Sequence, residues 1–240
     1  MSRRFEELDW QQTPIGEVSL RRRLEPSLQV EVFEVRLGQE YLMSSLFTVA
    51  EQELARLGLA ALTGDRGLDV VVGGLGLGYT AQAVLLDPRV RSLHVVDALA
   101  AVISWHERGL LPLAAGLTGD PRCHLLHGDF FAQVAGDGFG PGVPPRVSAV
   151  LLDVDHTPSH LLHPSHAPFY TADGLRRLAG RLLPDGVFAM WSDDPPDPPF
   201  VGVLREVFTT AAAHVVSFPN PLTGGTSTNT VYVAGGQPAS

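Results

Sequence analysis

Apolar and polar positions alternate over residues 15–24 (Ile15, Val18, Leu20) and more regularly over residues 29–37 (Val30, Val32, Val35, Leu37, with Phe33). A period of two predicts strands. Glu25-Pro26-Ser27 between them reads as a hairpin turn, and Gly38 opens another turn before Tyr41-Leu42-Met43. Residues 1–47 are therefore expected to form a small antiparallel β-hairpin unit, too thin in core to stand without packing on something.

From Thr48 the texture changes. Thr48 followed by Glu51 has the spacing of a capping box, and Val49, Leu54, Leu57, Leu59 and Leu62 supply the apolar face of the helix it would open. Short apolar runs at residues 69–72, 92–96, 124–127, 147–152 and 187–191 predict strands. Helices are predicted between them at residues 80–86, 99–111 and 172–183, and after them at 200–212, several stopped by proline. Two last strands, near 215–218 and 230–233, flank a segment rich in Pro, Gly, Thr and Ser. Strands alternating with helices predict an α/β fold over residues 48–240. It is a doubly wound, mostly parallel seven-stranded sheet with an antiparallel last strand. Residues 136–145 are rich in Gly and Pro and are expected to be a surface loop.

Charge narrows the chemistry. The 17 basic residues, all Arg, are outnumbered by 26 acidic ones, a formal net charge of −9. Nucleic acid and anionic membrane are poor partners for that balance. Without lysine, Schiff-base chemistry and a P-loop lysine are excluded. The single cysteine, Cys123, excludes an internal disulfide and a Cys-rich metal site, and its apolar strand marks it as a small core residue. Arg21-Arg22-Arg23 is the one basic run, read as a solvated strand or a subunit contact. No leader and no apolar run of roughly 20 residues is seen, so a cytoplasmic location is expected.

The densest local signal is Gly73-Gly74-Leu75-Gly76-Leu77-Gly78-Tyr79, between the strand at 69–72 and the helix at 80–86. Glycines at 74, 76 and 78 allow a close backbone approach by a ligand, and the following helix start offers free N–H groups. A tight strand-to-helix turn without a ligand fits the same spacing. Asp97 ends the second strand about 20 residues on, where a carboxylate can accept ribose hydroxyls or cap the next helix. Asp129, after the third strand, can accept from a base amine or cap a helix, and Phe130 can pack on the base. Asp153 and Asp155 end the fourth strand; Asp193 and Asp194 follow the fifth. Ligands of open α/β sheets bind at these strand ends.

These residues resemble the class I S-adenosylmethionine-dependent methyltransferase fold, a Rossmann-like sheet. More narrowly they resemble the spermidine synthase (polyamine aminopropyltransferase) family, from about residue 13 to 233. The resemblance includes Asp87-Pro88-Arg89-Val90, Gly128-Asp129, Phe169-Tyr170, Leu183-Pro184-Asp185-Gly186 and the stretch from Phe218-Pro219 to Gly225. It implies S-adenosylmethionine, or its decarboxylated form, as donor, held at Gly74, Gly76, Gly78, Asp97, Asp129 and Phe130. It implies Asp153 beside the transferred group, a small-molecule acceptor and a homodimer. The departures are specific. Leu77 stands where the family has the Asp that contacts the aminopropyl amine. His156 replaces the second Asp of the family's DSSDP segment. In the gate segment only Glu53 is retained, with Glu51 in place of a Tyr and Leu57 in place of a His.

Three functional readings follow. The first is methyl transfer from S-adenosylmethionine to a small acceptor. Asp153, Asp155, His156 and Tyr41 would be the catalytic candidates, and Asp193, Asp194 and Glu53 would meet a cationic substrate. The second is aminopropyl transfer from decarboxylated S-adenosylmethionine to a polyamine. The third is a non-catalytic adenosyl-ligand-binding or scaffold protein whose acceptor site has decayed. His156, His160, His163 and His166 raise a metal hypothesis, but Pro158 and Pro164 break the helix it needs, so no metal is expected and a polar lid loop is the simpler account.

Overall fold

The computed structural model describes residues 5–13, 16–63, 65, 67–154 and 156–236. Ile15, part of the expected first alternation, lies outside them. Four strands open the chain: β1 (Phe5–Thr13), β2 (Gly16–Glu25), β3 (Val30–Leu37) and β4 (Glu40–Ser44), paired antiparallel in chain order. The expected turns are present at Pro26–Gln29 and at Gly38, and Gln29 and Gly38 take φ of 55° and 57°. The unit is a four-stranded meander rather than a hairpin, because β1 had no clear alternation to announce it.

Next come α1 (Val49–Ala60), β5 (Leu68–Gly73), α2 (Tyr79–Leu85), β6 (Val90–Asp97), α3 (Ala100–Glu107), α4 (Ala114–Thr118), β7 (Cys123–His127) and α5 (Phe130–Ala135). They are followed by β8 (Val147–Leu152), a 3-10 turn (Pro164–Tyr170), α6 (Ala172–Ala179), β9 (Leu182–Ser192), α7 (Pro198–Arg205), β10 (Thr210–Asn220) and β11 (Gly225–Gly235). The large sheet has the order β10-β11-β9-β8-β5-β6-β7. β11 is antiparallel to both neighbours, and β9, β8, β5, β6 and β7 are mutually parallel. The α/β sheet is the expected one. β5 and β8 are buried at every position, which is why they read as unbroken apolar runs.

Several expected boundaries move. The Thr48 side chain does not cap α1; its hydroxyl accepts from Gln52 Nε2 (3.0 Å), and Val49 is exposed. The helix expected to 111 ends at Glu107. The helix expected to 183 stops at Ala179, since Leu182 already pairs with Val147 and residues 183–186 bulge out before Val187 pairs with Ala149. The helix expected to 212 ends at Arg205, and Ala211–Ala213 join β10 through pairing with β11. The long polar connection between the last strands shrinks to a turn at residues 221–224.

The period of two divides the core. Val70 and Val72 face one side with Leu54, Trp105, Leu117 and, from the N-terminal sheet, Val18, Leu20, Phe33 and Val35. Val71 faces the other side with Phe130, Phe169, Leu175, Phe188 and Phe200. Asp9 of β1 ties the small sheet to α3: it accepts from Trp105 Nε1 (2.7 Å) and from Nη1 of Arg108, the C-cap of α3 (2.8 Å). Trp105 is fully buried. Asp9→Ala leaves its indole N–H without a partner, so thermal unfolding is expected to show a loss of about 1–3 kcal/mol.

The basic run is neutralised within the small sheet. Arg21 meets Glu7 (3.4 Å), Arg22 meets Glu6 (2.6 Å), and Arg23 meets both Glu25 and Glu34 (2.5 Å each). Cys123 is half-buried, and burial pushes its thiol up to about 11, so it is not a thiolate nucleophile at neutral pH. No helix among the described residues is long and apolar enough to cross a membrane.

Candidate functional site

The strand order reverses at β5 and β8, so the connections leaving their paired carboxyl ends run to opposite sides and leave a crevice between them. The glycine loop leaves β5 there, and Asp153 leaves β8. The two ends are joined by the Asp153 N–H, which donates to the Gly73 carbonyl (2.8 Å), while the Gly74 N–H ties the loop to β6 by donating to the Val96 carbonyl (2.9 Å). A cavity of about 480 Å³ lies over this junction. Gly76, Leu77 and Gly78 form one wall, Tyr41 and Met43 of β4 another, and Asp153, His156 and Asp193 a third. The N-terminal sheet thus supplies part of the site, which its strand pattern alone did not reveal.

Within the cavity Asp153 accepts from the Thr80 hydroxyl (2.8 Å). Burial nevertheless dominates and pushes its carboxyl up to about 6. His156 sits at the rim, 3.5 Å from Asp193 and 3.7 Å from Glu40, with its ring 5.0 Å from that of His160. Tyr41 is exposed at the mouth. These placements bring four of the expected acceptor-side residues, Tyr41, Asp153, His156 and Asp193, into one cavity. Asp155 lies outside the described residues.

Other expected positions fall elsewhere. Asp194 is exposed and does not line the cavity; its carbonyl accepts from Thr230. Glu53 is turned along α1 to Arg56, whose Nε lies 2.8 Å away, so it does not reach the cleft. Phe130 is 3% exposed and packs against Phe131, Phe139 and Phe169, which leaves no ring face for a base. The neighbouring Phe131 is the one half-exposed, stacked on His166.

On the donor side, Asp97 is buried under the loop. Its Oδ2 accepts from the Leu75 N–H (2.8 Å) and its Oδ1 from the Leu99 N–H (2.7 Å). Burial raises its carboxyl above the usual range, and the backbone donors of Leu75, Leu99 and Gly76 oppose that shift. Each oxygen keeps a further lone pair, to which a ribose hydroxyl can donate. Asp129 caps α5, accepting from the Ala132 N–H (3.0 Å). A neutral His106 with its proton on Nε2 braces the loop from beneath, 2.9 Å from the Gly76 carbonyl; burial holds its pKa below the ordinary value.

Sequence reasoning missed Glu51. Expected as a capping partner and, by the resemblance, in the gate segment, but not as a site residue, it lines the cavity with Asp153. Burial first, and the Asp153 charge second, push its carboxyl up to about 8. The visible signal was its place in the gate segment, where a Tyr is usual. Among the described residues no three or more His, Cys, Asp or Glu side chains are disposed to hold a metal ion.

No family model matches the chain. It is 30% identical over 171 residues to polyamine aminopropyltransferase 2 of Pseudomonas aeruginosa, a match covering 67% of this chain and 45% of that protein. The match thus spans less than half of that relative's length. In structure it is similar to spermidine synthase from Thermotoga maritima, with a TM-score of 0.71 and 16% identity over 95% of this chain and 72% of that one. It is also similar to a spermidine synthase in complex with the transition-state analogue AdoDATO, with a TM-score of 0.72 and 16% identity over 95% of this chain and 73% of that one. The chain is therefore similar in sequence to a polyamine aminopropyltransferase and shares the Rossmann-like α/β fold of spermidine synthases.

Proposed function

We propose that this chain transfers an aminopropyl group from decarboxylated S-adenosylmethionine to a polyamine-type acceptor. The observation that carries the reading is the charge of the cleft. Glu51, Asp153 and Asp193 line it, His156 is its one basic side chain, and no arginine lines it among the described residues. Such a wall favours alkylammonium groups on both partners and disfavours the carboxylate of intact S-adenosylmethionine. Likeness to a protein named for aminopropyl transfer supports the same reading over methyl transfer, the first reading from residues alone.

In this reading the donor lies along Gly76 and Gly78, with its ribose at Asp97 and its adenine toward Asp129. Asp153 faces the reacting carbon and holds the acceptor amine; Tyr41, His156 and Asp193 guide the rest of the acceptor. The sulfonium is already activated, so the protein has to align the nucleophile and manage one proton.

Parallel calorimetric titrations with decarboxylated and intact S-adenosylmethionine test the proposal. At least tenfold tighter binding of the decarboxylated donor is expected, about 1.4 kcal/mol. Spermidine or putrescine should then release the thioether product. Tighter binding of the intact donor with methyl transfer would overturn the reading. Donor binding without turnover on any amine would replace it with the non-catalytic one, which Leu77 in the loop wall favours.

A further inference from the structure

Glu51 is a carboxylate that neither a cap nor an ion pair explains. It lies in the first turn of α1, which packs on α2, β8, β9, β10 and β11. It lines the cavity with Asp153, and the Thr80 hydroxyl lies between the two residues, donating to Asp153 Oδ2 (2.8 Å) and sitting 3.3 Å from the Glu51 backbone carbonyl. Among the described residues the titratable groups facing the cavity are Tyr41 from β4, Glu51 itself, Tyr79 from α2, Asp153 from the end of β8, His156 from the following loop and Asp193 from beyond β9. Glu40 joins at the rim through His156. β10 and β11 contribute only uncharged residues there, among them Phe218 and Asn229. Among the described residues Glu51 and Asp153 face no fixed cation in the cavity.

We propose that Glu51 receives the acceptor's ammonium group and takes its proton, with Asp153 as the paired carboxylate that remains charged. This rests on the aminopropyl-transfer reading above. Two carboxylates in one poorly solvated pocket cannot both ionise without a counter-charge. Burial and the Asp153 charge therefore keep Glu51 protonated near neutral pH. An entering alkylammonium supplies the missing positive charge, and the Glu51 proton leaves to solvent. The ionised Glu51 then takes one N–H proton, converting R–NH3+ to R–NH2. The nitrogen lone pair attacks the carbon bonded to sulfur. The C–N bond forms, the C–S electron pair goes to sulfur, the neutral thioether departs, and the product is a secondary ammonium.

Spermidine is titrated at pH 7 in two buffers of different ionisation enthalpy, and initial rates are followed from pH 6 to 9.5. The wild-type protein is expected to release close to one proton per spermidine bound. Glu51→Gln should release none, bind at least tenfold more weakly, and lose the rise of kcat/KM through pH 8. Asp173→Asn, an exposed charge change on α6, should behave as wild type. Melting temperature against pH supplies a readout independent of turnover. Because folding raises the Glu51 pKa, its stabilising contribution is complete below about 4.5 and is lost as pH rises toward 8. Glu51→Gln should therefore melt higher than wild type at pH 8.5 and not at pH 4.5. A variant that matches wild type in proton count, pH profile and melting curve overturns the assignment, provided that wild type transfers the group. A wild type that neither binds the decarboxylated donor nor transfers it overturns the aminopropyl reading itself.

Discussion

Asp153→Asn is expected to lower the rate of aminopropyl transfer by about 10²- to 10⁴-fold while leaving donor affinity within a few-fold. The residue is well suited to a clean test. Its backbone position is set by the parallel strands: the Asp153 N–H donates to Gly73 (2.8 Å), and β8 is buried at every position before it. Its side chain is fixed by the Thr80 hydroxyl, which an asparagine oxygen can still accept. The substitution therefore removes a charge and changes little else. Without that charge the acceptor ammonium loses its partner beside the reacting carbon, and Glu51 loses the neighbour that holds its proton. Stability should move the other way. Burial raises the Asp153 pKa to about 6 in the folded chain, so the ionised form opposes folding above that pH. The Asn variant should then melt at least as high as wild type at pH 8, with no such advantage at pH 4. Rates and melting curves measured together separate the two effects. Unchanged turnover on a working acceptor would remove Asp153 from the chemistry.

The parts of this molecule that were legible in sequence are those whose determinants are local. β5 and β8 have both faces buried, and Leu68–Gly73 and Val147–Leu152 announce it with nothing but apolar residues around single polar ones. The turn at Gly38 needs a positive φ and has a glycine. What was illegible depends on partners far along the chain. Ala211–Ala213 have high helix propensity, yet each is paired in register with β11, beginning at Ala211 with Ala234. Glu51 and Glu53 are two residues apart and so point to opposite sides of α1. Which one meets the cleft is decided by the contact of that helix with β8 and β9, which no spacing encodes. Thr48 and Glu51 have the capping-box spacing, and a capping glutamate and a cleft glutamate look alike on paper. Phe130 and Phe131 present the same difficulty, since both are aromatic and only the packing of α5 buries the first.

The glycine loop was legible as a motif, but the structure gives its glycines reasons of their own, and these lead to unequal expected effects. Gly74→Ala should be more damaging than Gly76→Ala in the same loop. Gly74 has φ +93°, and a Cβ there would overlap the Asp153 carbonyl oxygen and press on Val154 Cγ2 at 3.2 Å. The backbone strain costs roughly 1–3 kcal/mol. Parting two hydrogen-bonded strand ends to relieve the overlap costs roughly 1–3 more. The expected loss is on the order of 4 kcal/mol, a fall in melting temperature of about 10 °C for a chain of this size. Gly76→Ala differs in kind. At φ +47° its Cβ would meet the Met43 Sδ at 2.5 Å, the far end of a flexible side chain from β4. About 1–2 kcal/mol of left-handed strain remains, but Met43 can swing away. Met43→Ala added to Gly76→Ala should recover the part of the loss that arises from contact and none of the part from φ. Removing Met43 alongside Gly74→Ala should recover nothing, because the obstacle there is backbone. The contrast has a functional side. Met43 and Gly76 both line the cleft, so Gly76→Ala shifts a wall of the site and should raise KM for the donor at a stability cost well below that of Gly74→Ala. Gly74→Ala displaces Asp153 itself and should lower kcat in whatever fraction still folds. Equal losses of stability from the two alanines would mean that the loop is soft, and that neither the Asp153 carbonyl nor Met43 fixes its shape.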